Sequence, residues 1–139
     1  IITAPIMESG ELLQLCRETI TPYYLGRSQH ARQAMQLHFE GLPWRVHKSE
    51  GAMFLWIWFD HPQIDTFKLY EQLKKRNVIV VPGKYFFFGL DNKTRKEDYW
   101  EHRNQCIRIN FGGDPDITEK AIQIIADEAK NMIACHTID

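Results

Sequence analysis

The first 40 residues of the chain repeat apolar side chains at steps of three and four, which is the period of a helix with one apolar face. We expect this long helix to begin after Ser9, whose hydroxyl suits the N-cap position, and to end at the turn that starts with Gly41. Pro22 lies inside the stretch and should bend or interrupt the helix, because proline has no backbone N–H to donate. Two further stretches with the same period predict two more helices. Their expected N-caps are Asp65 or Thr66 and Asp116 or Thr118.

Four segments have the composition of β-strands. They are Trp44–His47, Met53–Phe59, Val78–Val81 and Gln105–Phe111. The second segment is apolar throughout, which predicts burial on both of its faces. The resulting order, α-β-β-α-β-β-α without a linker or a repeat, predicts an α+β fold with helices packed on a small, partly antiparallel sheet. We therefore expect residues 1–139 to form one domain.

Arg108 is a permanent cation within the last predicted strand. Around it, Ile107, Ile109 and Phe111 alternate with polar or smaller side chains, which is the period of a strand with two different faces. A guanidinium presents a planar fork of donors that fits a carboxylate through two parallel hydrogen bonds. Arg108 therefore requires an anion, which is either an internal Asp or Glu or the carboxylate of a ligand.

Composition and charge exclude several classes of partner. The 17 basic and 18 acidic residues give a net charge of −1, which argues against nucleic acid or an anionic membrane as the main partner. The longest apolar run is too short to span a bilayer. Three widely spaced cysteines predict reduced thiols in a cytoplasmic protein. The N-terminus lacks the features of a signal peptide, and because the chain starts with Ile1 we expect it to be a piece of a longer protein.

The sequence gives little support for a metal centre or for a nucleophile. His102 and Cys106 lie four residues apart, but two ligands do not make a zinc site. No serine lies in a nucleophile elbow, and neither a P-loop nor a GxGxxG motif is present. We therefore expect no metal in this chain.

An aromatic loop, Val81–Gly89, is more informative. The preceding strand stops at Pro82-Gly83, and four consecutive aromatic residues follow Lys84. These rings either plug the edge of the sheet or line a small-molecule site. Lys84 itself is expected to be exposed rather than to serve as a Schiff-base amine.

Three blocks of the chain carry a resemblance to a known family. They are Ser49–Trp56, Val80–Gly83 followed by Phe86, and Cys106–Phe111. In order and spacing they resemble the C-terminal part of class I/II aminotransferases, which are pyridoxal-phosphate enzymes of fold type I. Within that family the chain is similar to the branch that acts on valine and pyruvate. The residues that carry this second likeness are His47-Lys48, Leu55–Phe59 and the run Val81–Asp91.

The resemblance implies a role for three residues of this chain. Arg108 matches the arginine that binds the α-carboxylate of the substrate. Phe86 matches the aromatic residue that borders the substrate, and Gly51 matches the glycine of a turn that approaches the site. The family's Schiff-base lysine and its other cofactor-binding residues have no match here, so we expect no catalytic or cofactor-binding residue in this chain. Residues 1–40 correspond to a helical connector to a missing large domain.

The implied function is that of the small C-terminal domain of an aminotransferase. The complete enzyme would use pyridoxal 5'-phosphate to move an amino group between an L-amino acid, valine or alanine, and a 2-oxo acid, pyruvate. It would be a cytoplasmic homodimer, and the isolated chain would be inactive. The alternative is a non-catalytic α+β binding or interaction module in which Arg108 forms a structural salt bridge.

Overall fold

The computed structural model describes residues 4–88 and 101–135. The helices are α1 (Ala4–Glu8), α2 (Glu11–Leu15), α3 (Thr21–His38), α4 (Thr66–Lys75) and α5 (Pro115–Cys135). The strands are β1 (Trp44–Val46), β2 (Phe54–Phe59), β3 (Val81–Pro82) and β4 (Cys106–Asn110). The predicted α+β class is confirmed, with the first predicted helix divided into segments. Gly89 and Asp91, at the end of the aromatic run, lie outside the described residues.

The N-terminal helical stretch starts before Ser9 and is broken beside it. Gly10 has a φ of 80°, in the left-handed region that glycine adopts without strain, and this residue separates α1 from α2. The N-cap position of α2 belongs to Gly10 and not to Ser9. The Ser9 hydroxyl instead accepts a hydrogen bond of 3.3 Å from the backbone N–H of Glu11. The predicted cap was therefore wrong by one residue.

The expected effect of Pro22 is found in the turn that precedes it. A π-helical turn, Cys16–Ile20, joins α2 to α3, and Pro22 follows in the first turn of α3. The backbone N–H of Thr21 bonds to the carbonyl of Cys16, five residues back instead of four. The regular α-helix is thus interrupted where proline cannot donate a hydrogen bond.

The four strands form one sheet in the order β1-β2-β4-β3, and each neighbouring pair is antiparallel. Helices α3, α4 and α5 cover one face of this sheet and bury its inward side chains in a single core. The largest fully buried side chains of that core are Phe39, Phe59, Phe111, Met35, Leu55, Ile57, Ile64, Leu69, Leu73, Ile107, Ile122 and Ile125. The strand of Arg108 is central, so its side chains are enclosed by neighbours on both sides.

Two strand predictions need correction. Strand β2 buries only the face with Leu55, Ile57 and Phe59, because the helices cover one side of the sheet and leave the other face half-exposed. The predicted strand Val78–Val81 pairs with β4 only at Val81–Pro82. The earlier part of that segment is still packed into the core, with Val78 and Val80 buried.

The N-cap of α4 is Asp65, as predicted. Helix α5 starts earlier than expected, and its cap is neither Asp116 nor Thr118. The carboxylate of Asp114 accepts hydrogen bonds from the backbone N–H groups of Asp116 at 3.0 Å and Ile117 at 3.2 Å. Asp114 therefore satisfies two of the free N–H groups at the start of α5.

Several large apolar side chains of the N-terminal helices are exposed. They are Ile6, Met7, Leu13, Leu15, Leu25 and Leu37. The second half of α3 packs onto the core, whereas α1 and α2 contribute no buried residue. Within the part of the chain that the structure describes, no helix is both long and apolar enough to cross a membrane.

Candidate substrate-binding site around Arg108

The site lies on the face of the sheet that the helices leave uncovered. Strand β2 places Phe54, Trp56 and Trp58 on this face because alternate residues of a strand point to the same side. The antiparallel register sets Trp56 directly opposite Arg108 of β4. The other neighbour of Arg108 is Val81 of β3. Arg108 therefore lies in the middle of an aromatic surface.

Two phenylalanine rings contact the guanidinium of Arg108. Its central carbon lies 4.2 Å from the ring centroid of Phe54 and 4.8 Å from that of Phe86. A guanidinium is attracted to the negative face of an aromatic ring at such distances. Among residues 4–88 and 101–135, Arg108 makes no ion pair or hydrogen bond through its side chain. The described residues thus provide rings for the cation but no carboxylate.

The aromatic loop folds over the same face. The ring centroids of Trp56 and Phe86 lie 5.1 Å apart, and those of Trp56 and Phe87 lie 6.0 Å apart, both in edge-to-face geometry. Such pairs stabilise a packed arrangement beyond the area that they bury. Tyr85 and Phe88 remain exposed, the latter at 88%. The loop therefore covers part of this face of the sheet, and Phe86 also borders Arg108. That the loop lines a small-molecule site stays a prediction.

Gly83 allows the start of this loop to pass close to β4. A Cβ atom at this position would lie 2.7 Å from the carbonyl oxygen of Arg103 and 2.7 Å from the Cβ of Cys106. It would also lie 2.9 Å from the carbonyl oxygen of Cys106. The oxygen of Cys106 belongs to β4 and that of Arg103 to the 3-10 turn Glu101–Asn104, so neither can move without disturbing a regular element. Glycine is therefore required for the turn Gly83–Phe86 to bring Phe86 to Arg108.

Cys106 and His102 are close together but do not form an activated nucleophile. The Sγ of Cys106 lies 3.3 Å from Nε2 of His102. Burial raises the pKa of the Cys106 thiol to about 12, with a hydrogen bond to Trp56 acting in the opposite direction. Burial also lowers the pKa of His102; His47 acts in the same direction and Asp60 against it. At neutral pH the thiol is therefore protonated and a poor nucleophile. Within the described ranges, no three His, Cys, Asp or Glu residues are placed to hold a metal ion.

Lys84 is half-buried and not exposed as the sequence led us to expect. Its ammonium nitrogen lies 3.3 Å from the centre of the Phe67 ring and 5.3 Å from that of Tyr85. The charge of Lys84 thus faces a ring of α4 and lies near Tyr85 of its own loop.

Gly51 lies at a different place from Arg108 and Phe86. It lines a half-open cavity of about 460 Å³ between the N-terminal helices and the loop before β2, together with Tyr24, Met53 and Phe111. The next residue, Ala52, has a φ of 62°, a left-handed conformation that is costly for a residue with a Cβ. The structure thus brings Arg108 and Phe86 together but does not bring Gly51 into contact with them. The role of Gly51 stays a prediction.

Phe54 and Trp56 are site residues that the sequence alone did not single out. The signal was present in part, since both lie at alternate positions of β2. Their proximity to Arg108 depends on the register between β2 and β4, which the sequence pattern does not specify.

Comparison with known proteins identifies the family of this chain. The model of the family "Aminotransferase class I and II" matches residues 17–125. Valine–pyruvate aminotransferase of Escherichia coli K12 is 37% identical over 129 residues, which is 93% of this chain and 30% of that protein. The crystal structure of valine–pyruvate aminotransferase from Salmonella typhimurium LT2 aligns with a TM-score of 0.83 and 36% identity. That alignment covers 94% of this chain and 32% of the Salmonella chain.

A further relative was solved with a cofactor. The kynurenine aminotransferase of Pyrococcus horikoshii, in complex with PMP, is 26% identical with a TM-score of 0.69, over 91% of this chain and 28% of that one. The chain thus spans about 30% of the length of the relatives it matches. The resemblance of the three sequence blocks is confirmed: this chain belongs to the class I and II aminotransferase family, whose cofactor is pyridoxal phosphate.

Proposed function

We propose that this chain is the small C-terminal domain of a pyridoxal-phosphate aminotransferase. The enzyme would transfer an amino group between an L-amino acid, valine or alanine, and a 2-oxo acid such as pyruvate. The 37% identity to a valine–pyruvate aminotransferase supports this choice of substrates. In the proposal, Arg108 binds the α-carboxylate of the substrate, and the complete enzyme is a cytoplasmic homodimer.

The observation that carries the proposal is the environment of Arg108. Its guanidinium is half-buried between aromatic rings, and the described residues offer it no anionic partner. A buried charge without a partner is costly, so the site favours binding of an anion. A substrate carboxylate supplies that anion and is held by two hydrogen bonds in a fixed orientation. Fixing the orientation of a substrate is itself a large contribution to rate.

The described residues do not fit pyridoxal phosphate itself. Within residues 4–88 and 101–135, Lys84 is half-buried and every other lysine is exposed. The amine of Lys84 lies over the ring of Phe67. That amine is therefore not presented in a site beside Arg108. In the proposal the cofactor is bound by the part of the enzyme that lies outside this chain, and this domain acts on the substrate.

The exposed apolar side chains of the N-terminal helices support contact with another part of the enzyme. Leu13 and Leu37 are 62% and 64% exposed, although both are large aliphatic residues. A surface with several such residues commonly marks an interface. The same surface fits the alternative function, a non-catalytic interaction module. An assay of amino transfer by the full-length protein distinguishes the two, because an interaction module would have no such activity.

The isolated chain is expected to have no aminotransferase activity and to bind pyridoxal phosphate without a defined stoichiometry, because the described residues lack an anchoring lysine. A spectrophotometric titration of the chain with the cofactor measures this. Lys84→Arg is the control, since it keeps the charge over Phe67 but removes the amine that could react. Formation of one saturable absorbance band that Lys84→Arg abolishes would contradict the assignment of this domain.

Phe86→Ala in the full-length enzyme is expected to change the preference among aliphatic amino acids. The ring is 38% exposed and borders Arg108, so its removal enlarges the space beside the bound substrate. One methylene in an apolar pocket corresponds to a change in kcat/KM of about 10- to 200-fold. The ratio of kcat/KM for alanine and valine measures the effect. Equal losses for both substrates would show that Phe86 supports the fold and not the specificity.

A further inference from the structure

Phe54 approaches the guanidinium of Arg108 more closely than any other described ring, at 4.2 Å from centroid to central carbon. We propose that Phe54 is a positioning residue: its ring fixes the plane of the Arg108 guanidinium, so that only the edge of the cation is open to a carboxylate. This inference rests on the proposed function of Arg108 as the carboxylate-binding residue.

The two rings lie on different sides of the cation. Phe54 and Phe86 are each within 5 Å of the guanidinium carbon, yet within the described part of the chain they make no ring contact with each other. Two rings that touch the same small group but not each other must approach it from different directions. In the proposal the guanidinium lies between the two rings, and its N–H donors, which all lie in the guanidinium plane, are left to a ligand that approaches from the edge.

Phe54 and Phe86 are equally exposed, at 38%, but their backbones belong to different elements. It belongs to β2, where it pairs with Asn110, two residues beyond Arg108 on the same face of β4. A diagonal neighbour across an antiparallel pair is within reach of an aromatic and a long side chain. Phe86, in contrast, lies in a single 3-10 turn. The strand therefore provides the fixed surface against which the arginine is oriented.

The arrangement has a specific consequence for binding. A free arginine side chain samples many rotamers, and ordering it on binding costs conformational entropy. A ring that holds the guanidinium before the ligand arrives reduces this cost. The benefit reaches only ligands that bind through the edge of the guanidinium. Phe54 should thus affect the affinity for the carboxylate and leave unchanged the recognition of the rest of the substrate.

The test compares Phe54→Leu and Phe54→Tyr in the full-length enzyme, with L-alanine as substrate and ethylamine as the matched compound without a carboxylate. We expect Phe54→Leu to lower kcat/KM for alanine by about 3- to 30-fold, the range of a cation–π contact between exposed and desolvated sites, mainly through KM. Turnover of ethylamine should not change. Phe54→Tyr keeps the aromatic face and should restore the value of the parent.

Two controls separate positioning from a structural role. Phe67→Leu makes the same chemical change at a ring that holds a different cation, Lys84, and should leave the preference for alanine over ethylamine unchanged. In an Arg108→Ala background, Phe54→Leu should have no further effect on alanine, because its action passes through Arg108.

The failures of the two proposals are distinguishable. A parent enzyme without preference for alanine over ethylamine would overturn the role of Arg108, and with it this inference. If the parent enzyme does prefer alanine, three results would overturn only the inference. The first is that kcat/KM of Phe54→Leu for alanine equals that of the parent. The others are that Phe54→Tyr is as impaired as Phe54→Leu, or that Phe54→Leu still lowers activity in the Arg108→Ala background.

Discussion

Arg108→Ala in the full-length enzyme is expected to lower kcat/KM for valine or alanine by about 30- to 4,000-fold. This corresponds to about 2–5 kcal/mol, the usual effect of removing one partner of a hydrogen-bonded charge pair. The guanidinium has no described anionic partner, so its removal leaves the substrate carboxylate as the unpaired group. Steady-state kinetics with both amino acids measures the loss, and cofactor affinity should change little.

Arg108→Lys is the control for charge. Lysine keeps the positive charge but loses the planar fork and the stacking surface for Phe54 and Phe86, so this variant should also be strongly impaired. Wild-type kinetics in Arg108→Lys would mean that charge alone matters. Unfolding of Arg108→Ala, together with an internal Asp or Glu as the partner of Arg108, would instead establish the structural salt bridge.

Gly83→Ala is expected to destabilise the fold by about 3 kcal/mol or more, at the upper end of the range for overpacked sites. The added Cβ would lie within 2.7–2.9 Å of two backbone oxygens and of the Cys106 Cβ, none of which is the flexible end of a side chain. Relief requires the turn Gly83–Phe86 to move away from β4, which would also withdraw Phe86 from Arg108. Urea denaturation of this chain measures the change in the free energy of unfolding.

Gly26→Ala provides the matched comparison for this substitution. Gly26 lies inside α3, and a Cβ at that position meets no atom within 4 Å. Alanine favours the helix over glycine, so this variant should be about 0.5–1 kcal/mol more stable than the parent. A Gly83→Ala variant as stable as the parent would show that the turn does not approach β4 this closely.

The apolar pattern predicted the order of helices and strands because burial of one face imposes a period on each element. It could not predict where hydrogen bonding begins and ends. Gly10 is an example. Its left-handed backbone sets the start of α2, and the spacing of apolar residues does not indicate this conformation. Strand β2 shows a second limit. Its apolar run predicted two buried faces, whereas helices cover only one, and the aromatic loop covers part of the other.

The candidate site was predictable in its charge but not in its geometry. Arg108 was recognisable because a cation interrupts an apolar strand, and Phe86 because the family motif includes it. Phe54 was missed because its contact with Arg108 is diagonal across two strands and depends on their register. A pattern of alternation assigns a residue to a face of the sheet, but it does not say which residue of the next strand lies beside it.

A crystal structure of the full-length enzyme with a bound amino-acid or 2-oxo-acid ligand tests the central claim most directly. The account predicts two parallel N–H···O contacts of about 2.7–2.9 Å between the guanidinium of Arg108 and the ligand carboxylate. The rings of Phe54 and Phe86 should remain on the guanidinium, as they are here. A structure in which Arg108 pairs with an Asp or Glu of the protein, while the ligand carboxylate is bound by other residues, would contradict the account.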